Sequence, residues 1–251
     1  MEVKLFTQGQ WLSPQGEVIP VHSPWTGAEL GKAYFATEQD VDAALKIAQD
    51  GFEVWSSTPL KERCQVMFRF RELLLRDLET ISQVVSQENG KTVAEARAGL
   101  MKGIEVLEYA LSLQNLDDGG KMTVSRGVHC EYDRRPLGVV CGITPFNFPA
   151  MVPMWMIPIA LTLGNSFVWK PSEKTPLTSF YIANALKEAG LPDGAFTVIQ
   201  GGAPIVEHLV SHPLIEAVAF VGSTKVAQKV YALGTQNFKR VLALGGAKNH
   251  I

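Results

Sequence analysis

Cysteine is scarce in this chain: three among 251 residues, Cys64, Cys130 and Cys141, with no CxxC spacing. So few, so dispersed, they exclude a disulfide framework and a zinc knuckle and point to a reduced, intracellular setting. An excess of one charge is lacking too. Twenty-three Lys and Arg stand against 25 Asp and Glu, a formal net charge of −2, with the signs interspersed. That balance excludes the footprint of a nucleic-acid binder and a membrane-surface patch. Met1–Phe6 has neither the apolar core of a signal peptide nor Arg-rich transit character, so a cytoplasmic protein is expected. No GxGxxG occurs, so the usual dinucleotide fingerprint is missing. No Ser/His/Asp or Cys/His arrangement presents itself either. With 46% hydrophobic and 19% charged residues, the composition is that of a packed globular chain.

One apolar run needs explaining. No charged residue lies between Arg135 and Lys170, a stretch long enough to cross a bilayer. Pro136, Pro145, Pro149, Pro153 and Pro158 would break such a helix repeatedly. The run reads instead as two buried strands separated by a loop and a short buried helix, because strands covered on both faces are continuously apolar.

The pattern before this run is helical. Thr37 and Asp40 resemble a capping box, after which Val41, Ala44, Leu45, Ala48, Phe52 and Trp55 recur at helical spacing. A second stripe carries Cys64, Met67, Phe70, Leu74 and Leu78 beyond Pro59, Asn89-Gly90 ends a third segment, and Val93–Leu116 makes a fourth. From Met122 to Arg135 the residues are mixed polar and β-branched around Gly127. They predict a β-hairpin, Thr123–Arg126 with Val128–Arg134, exposed on one side. After Pro136 strands and helices alternate: strands at Val139–Ile143, Phe167–Lys170, Phe196–Gln200, Ala217–Val221 and Arg240–Leu244, helices at Met151–Leu163, Leu177–Ala189, Pro204–Val210 and Lys225–Leu233. The fold class expected is α/β, a doubly wound, mostly parallel sheet with an N-terminal helical region and a β-hairpin. Ligands of such sheets bind beyond the carboxyl ends of the strands.

Four loops leave those ends. In Thr144-Pro145-Phe146-Asn147-Phe148-Pro149 the Asn147 amide can donate to a developing oxyanion or simply satisfy a turn. In Lys170-Pro171-Ser172-Glu173-Lys174 a lysine ending a buried strand needs a partner or a cleft. Lys170 and Glu173 suit ribose hydroxyls, or form a surface salt bridge. Phe220-Val221-Gly222-Ser223 runs into a helix whose N-terminus favours a phosphate, with Ser223 as its cap. Leu244-Gly245-Gly246 lets a ligand lie against the backbone. His208 and His212 have helical spacing but not the order of a zinc motif, so they read as helix-end residues and no metal is expected.

In order and approximate spacing, these four loops resemble the aldehyde dehydrogenase superfamily. Pro145–Pro153, Trp155-Met156 and Gly246-Ala247-Lys248-Asn249-His250 resemble its CoA-acylating methylmalonate-semialdehyde branch. The resemblance implies NAD-dependent oxidation of methylmalonate or malonate semialdehyde to an acyl-CoA through an enzyme thioester, with loss of CO2. It implies Asn147 as the oxyanion donor, Lys170, Glu173 and Lys174 near the adenosine end of NAD, and Ser223 near its pyrophosphate. Thr144, Phe146 and Gly245 would line the cofactor cleft, and Lys102 would meet the substrate. NAD is the implied cofactor, CoA the co-substrate, a small semialdehyde the substrate, and a homodimer or homotetramer the assembly. Residues 1–121 and 137–251 would form the NAD-binding domain, with 122–136 as the oligomerisation hairpin.

Three positions depart from the broader pattern. Hydrolytic members have a glutamate where Ala243 stands, and alanine cannot activate water, which favours transfer to CoA over a hydrolytic NAD(P)-dependent reaction. Lys102 replaces an arginine and offers one charge without a bidentate fork. The family's catalytic cysteine lies beyond the Gly-Gly turn, and none of the three cysteines stands beside the motif. A fragment lacking the catalytic domain and inactive alone is therefore expected; the other reading is a truncated, non-catalytic nucleotide-binding or assembly module.

Overall fold

The computed structural model describes residues 1–116 and 119–246, so Ala247–His250 of the last motif fall outside the described residues. Short strands come first: β1 (Glu2–Val3), β2 (Leu5–Thr7), β3 (Gln10–Leu12), β4 (Val18–His22) and β5 (Glu29–Tyr34). The helical region follows as α1 (Glu38–Ser57), α2 (Leu60–Arg76), α3 (Leu78–Asn89) and α4 (Val93–Ser112), then the hairpin of β6 (Gly120–Ser125) and β7 (Val128–Tyr132). The remainder alternates through β8 (Val139–Ile143), α5 (Met151–Met154), α6 (Ile157–Thr162), β9 (Ser166–Lys170), α7 (Thr178–Glu188), β10 (Phe196–Val198), α8 (Ala203–Ser211), β11 (Ile215–Val221), α9 (Thr224–Gln236) and β12 (Arg240–Leu244).

Local chemistry explains the helix boundaries. Thr37 accepts from the Asp40 amide at 3.2 Å while Asp40 accepts from the Thr37 amide at 2.8 Å, so aspartate completes the capping box. Thr92 and Glu95 build a second box at the start of α4. The helix expected over Met151–Leu163 is instead two, α5 and α6, interrupted at Trp155-Met156. Pro153 and Pro158 each lack an amide hydrogen, and Pro158 starts the new helix where none is needed.

The central sheet has the order β12-β11-β8-β9-β10-β2-β3. Its strands from β12 to β10 are parallel, and β2 and β3 extend it antiparallel. Alternation along each strand feeds two cores. Val139, Cys141, Ile143 and Val168 face the layer of α1, α8 and α9. Val140, Phe167 and Trp169 face α2, α4, α6 and α7. Both faces are covered, which is why β8 and β9 read as uninterrupted apolar runs. From β8 the chain winds outward through β9 and β10, then returns to place β11 on the other side of β8. The reversal lies between β8 and β11.

The hairpin differs from expectation in its exposure: Lys121–Arg135 are exposed on both faces, and none of the described residues forms a layer against either side of the two-stranded ribbon. Among the described residues no helix is long and apolar enough to cross a membrane.

Candidate functional site

The carboxyl ends of β8, β9 and β11 open onto a cleft of about 1060 Å³ at the reversal, walled by α8 and α9. It brings together Thr144 and Phe146 from the first loop, Lys170 and Glu173 from the second, and Ser223 from the third. Thr144 is fixed by the Trp169 indole, whose Nε1 donates to its hydroxyl at 2.8 Å.

Lys170 ends a strand buried on both faces and is itself only 3% exposed. Its Nζ lies 3.2 Å from Glu173 Oε2. Burial pushes the Lys170 pKa down against the pull of Glu173. Burial opposes the charge on Glu173 as well, but Lys170 overrides it and holds that carboxyl below its ordinary value. A pair with one member so deeply buried is not a surface salt bridge. Both residues line the cleft, where an ammonium donor and a carboxylate acceptor can serve hydroxyl groups.

Ser223 is the N-cap residue of α9 but makes no side-chain capping bond, contrary to the reading of it as a helix cap. Ser223 and Val226 of the first turn of α9 line the cleft, an arrangement suited to a phosphate. Just before it, a Cβ at Gly222 would meet the Phe220 ring at 2.5 Å, so only glycine fits that turn without moving the ring.

The remaining sequence-predicted residues are outside the cleft lining. Lys174 crosses from the second loop to stack its ammonium 4.8 Å from the Phe146 ring centre. Gly245 follows β12 and sits against the first turn of α9, where a Cβ would lie 3.1 Å from Thr224 Cα. Asn147 is exposed at the tip of the first loop, and its side-chain amide is engaged by none of the described residues. Lys102 lies on α4, one turn after Gly99, whose position faces Phe148 and Met151. Its ammonium is paired with Glu105 at 2.8 Å rather than free for a ligand.

The sequence places Asn89 at the end of the third helical segment and gives Lys91 no role. Asn89 Nδ2 donates to the Phe146 carbonyl at 2.8 Å, and Lys91 Nζ donates to the Asn147 carbonyl at 2.7 Å. Their only local signal was two polar side chains on either side of a helix-ending glycine.

His208 and His212 meet a partner that spacing could not supply. Asp42 on α1 is 2.6 Å from His208 Nε2 and 3.4 Å from His212 Nε2. The Leu214 amide donates to His212 Nδ1 at 3.2 Å, so the neutral ring carries its proton on Nε2, facing Asp42. A metal on that nitrogen would force the proton onto Nδ1 against the Leu214 N–H. The trio is therefore a hydrogen-bonded clasp between α1 and α8. Burial lowers the His212 pKa below its ordinary 6.5; Asp42 opposes this, while His208, Lys239 and Lys46 reinforce it. With the folded pKa depressed, the stability contributed by His212 is complete above pH 6.5 and is lost as the pH falls below it. In His212→Asn the Asn Oδ1 can still accept from Leu214. Chemical denaturation between pH 7.5 and 5 should show wild type losing stability relative to this variant; parallel curves would remove His212 as the cause.

The model of the aldehyde dehydrogenase family matches residues 11–251. Malonate-semialdehyde dehydrogenase from Bacillus pumilus (strain SAFR-032) is 40% identical over 250 residues, 99% of this chain and 51% of its own length. Malonate-semialdehyde dehydrogenase 2 from Oceanobacillus iheyensis is 41% identical over the same shares. Among solved structures, methylmalonate-semialdehyde dehydrogenase from Oceanimonas doudoroffii superposes with a TM-score of 0.96 at 41% identity, covering 99% of this chain and 51% of that one. A protein of Sinorhizobium meliloti 1021, assigned provisionally to the same activity and complexed with NAD, also gives 0.96, at 36% identity over 100% of this chain and 51% of its own. The chain thus spans about half the length of the curated relatives it matches.

Proposed function

Because the chain belongs to the aldehyde dehydrogenase family, we propose that it is the NAD-binding part of a CoA-acylating malonate or methylmalonate semialdehyde dehydrogenase. The observation carrying this reading is the convergence of Thr144, Phe146, Lys170, Glu173 and Ser223 on one cleft where the strand order reverses. The residues fit a dinucleotide. Lys170 and Glu173 offer a donor and an acceptor for ribose hydroxyls, with Lys174 at the same adenosine end. Ser223 and the N-terminus of α9 receive the pyrophosphate, and the glycine turn at Gly222 lets it approach. Thr144, Phe146 and Gly245 bound the cofactor's path. When bound, NAD supplies the hydride acceptor.

Asn147 donates its side-chain amide to the oxyanion formed when a thiolate adds to the aldehyde carbonyl. Lys102 faces the substrate carboxylate, which would compete with Glu105 for its ammonium. The nucleophile comes from outside these residues: Cys64 is buried on α2, Cys130 is exposed on the hairpin, and Cys141 is buried in β8 with its thiol pKa pushed up to about 12 by burial. Ala243 on β12 leaves no general base for water, so the acyl group passes to the CoA thiol. Residues 1–121 and 137–251 belong to the NAD-binding domain, and the hairpin at 122–136 joins protomers into a dimer or tetramer.

Calorimetry of the 251-residue chain with NAD and NADP tests the cofactor assignment; no heat with either would remove it. For the chemistry, an enzyme extended to the relatives' full length is expected to form NADH from malonate semialdehyde only when CoA is present. In that enzyme Asn147→Ala should lower kcat about 10²- to 10³-fold. NADH formation indifferent to CoA would instead identify a hydrolytic enzyme. The position of the three cysteines is equally compatible with a second reading, a non-catalytic nucleotide-binding or assembly module. Both readings predict no NADH formation by the chain alone, and the second is favoured if the extended enzyme forms none with or without CoA.

A further inference from the structure

The turn that ends α3 touches both loops leaving the central strands. Gly90 is left-handed there (φ +88°), and a Cβ would strike Pro24 at 2.8 Å. The Trp25 indole donates to the Gly90 carbonyl at 2.6 Å, and Ser86 donates to the Lys91 carbonyl at 2.7 Å, so the turn is held from two sides. On one flank, Glu88 accepts from the Leu177 and Thr178 amides at the end of the second loop. On the other, Asn89 and Lys91 engage the carbonyls of Phe146 and Asn147, and the Lys91 ammonium lies 4.0 Å from the Phe148 ring centre.

Those two carbonyls belong to the peptide units on either side of Asn147. Each unit is planar, so pinning both planes fixes the backbone dihedrals between them and with them the Asn147 Cα–Cβ direction. The loop is also held by Lys174 at the Phe146 ring and by the Val152 amide at the Phe148 carbonyl, but neither contact is to a peptide unit flanking Asn147. An oxyanion donor acts only when aimed before the charge develops. We propose that Asn89 and Lys91 are positioning residues that hold the Asn147 amide at the mouth of the cleft. This inference rests on the reading of Asn147 as the oxyanion donor. It adds a role for a turn outside the cleft lining that acts through two backbone carbonyls.

The test uses the 251-residue chain and three variants. Lys91→Met keeps the aliphatic stem but removes the donor, Asn89→Ala removes the second donor, and Lys91→Arg restores a cation within reach of the carbonyl. With 15N label on asparagine, the Asn147 backbone amide is expected to fall from a rigid order parameter near ~0.85 to below ~0.6 in Lys91→Met and Asn89→Ala, and to recover in Lys91→Arg. Unchanged order in both loss variants would overturn the proposal. Nucleotide binding separates aiming from general stability. A carbonyl within hydride range of the nicotinamide must lie beside Asn147, so the nicotinamide end of NAD reaches this loop while adenosine monophosphate does not. Lys91→Met should weaken NAD about tenfold and leave adenosine monophosphate unchanged. Equal weakening of both would make the contact merely structural and also overturn the proposal. Wild-type chain that binds neither nucleotide would defeat the cofactor reading instead, and the order parameter would still decide the positioning role.

Discussion

Lys170→Met is expected to weaken NAD binding about 10- to 100-fold, the worth of one or two charge-assisted hydrogen bonds. At the same time it should raise the melting temperature by about 2–4 °C, corresponding to about 1 kcal/mol in a chain of this size. The two effects have opposite signs because Lys170 is badly placed for stability. Its side chain is 4% exposed at the end of an apolar strand, while its partner Glu173 is 46% exposed and recovers its hydration when the lysine goes. Methionine has similar length and needs no partner. Scanning calorimetry and titration with NAD on the same two proteins check both halves. A variant that melts lower and binds NAD as before would make the pair structural.

Glu88→Ala should cost about 3–5 kcal/mol, the largest loss expected of any single change here. Glu88 is buried at the end of α3 and accepts from the Leu177 amide at 2.7 Å, the Thr178 amide at 3.0 Å and the Thr178 hydroxyl. It therefore serves the N-terminus of α7 from another helix, in place of a cap on α7 itself. Alanine leaves three buried donors without a partner. The same carboxyl makes stability depend on pH. Burial raises its pKa from 4.5 to about 7, and the hydrogen bonds only partly offset this. The folded state thus binds the proton more tightly than the unfolded state. The associated stability is complete below pH 4.5 and is lost as the pH rises through 7, about 3 kcal/mol in all. Urea denaturation at pH 5 and 7.5 should show this decline in wild type and not in Glu88→Gln. An identical decline in Glu88→Gln would assign it to another group. The slope is opposite to that of His212, so the two variants separate the contributions.

Much of the architecture was legible locally. Thr37 and Asp40 announced α1 because a capping box involves residues three apart. The strands at Val139–Ile143 and Arg240–Leu244 were read to the residue, since β8 is apolar throughout and β12 is followed at once by paired glycines. The strands before α1 escaped notice. β1, β2 and β3 span two or three residues each, too few for a period to register, and β2 earns its place only by pairing Phe6 with Val198 across the sheet. β4 and β5 are longer, but Pro20 in one and Gly31-Lys32 in the other interrupt the apolar alternation.

The cleft divides in the same way. Residues that end strands, Thr144, Lys170 and Ser223, were found because alternation and turn residues mark where a strand stops, and parallel strands stop on the same side. Asn89 and Lys91 lie 57 and 56 residues from the carbonyls they hold, and Glu88 lies 89 residues from Leu177. A hydrogen bond across such a separation leaves no period, cap or turn in the chain. Periodicity and punctuation, which depend on near neighbours, were enough to specify a parallel α/β sheet and the loops at its carboxyl edge. How far those loops stand apart, and where Asn147 points, depends on contacts between distant segments that exist only once the helices have packed.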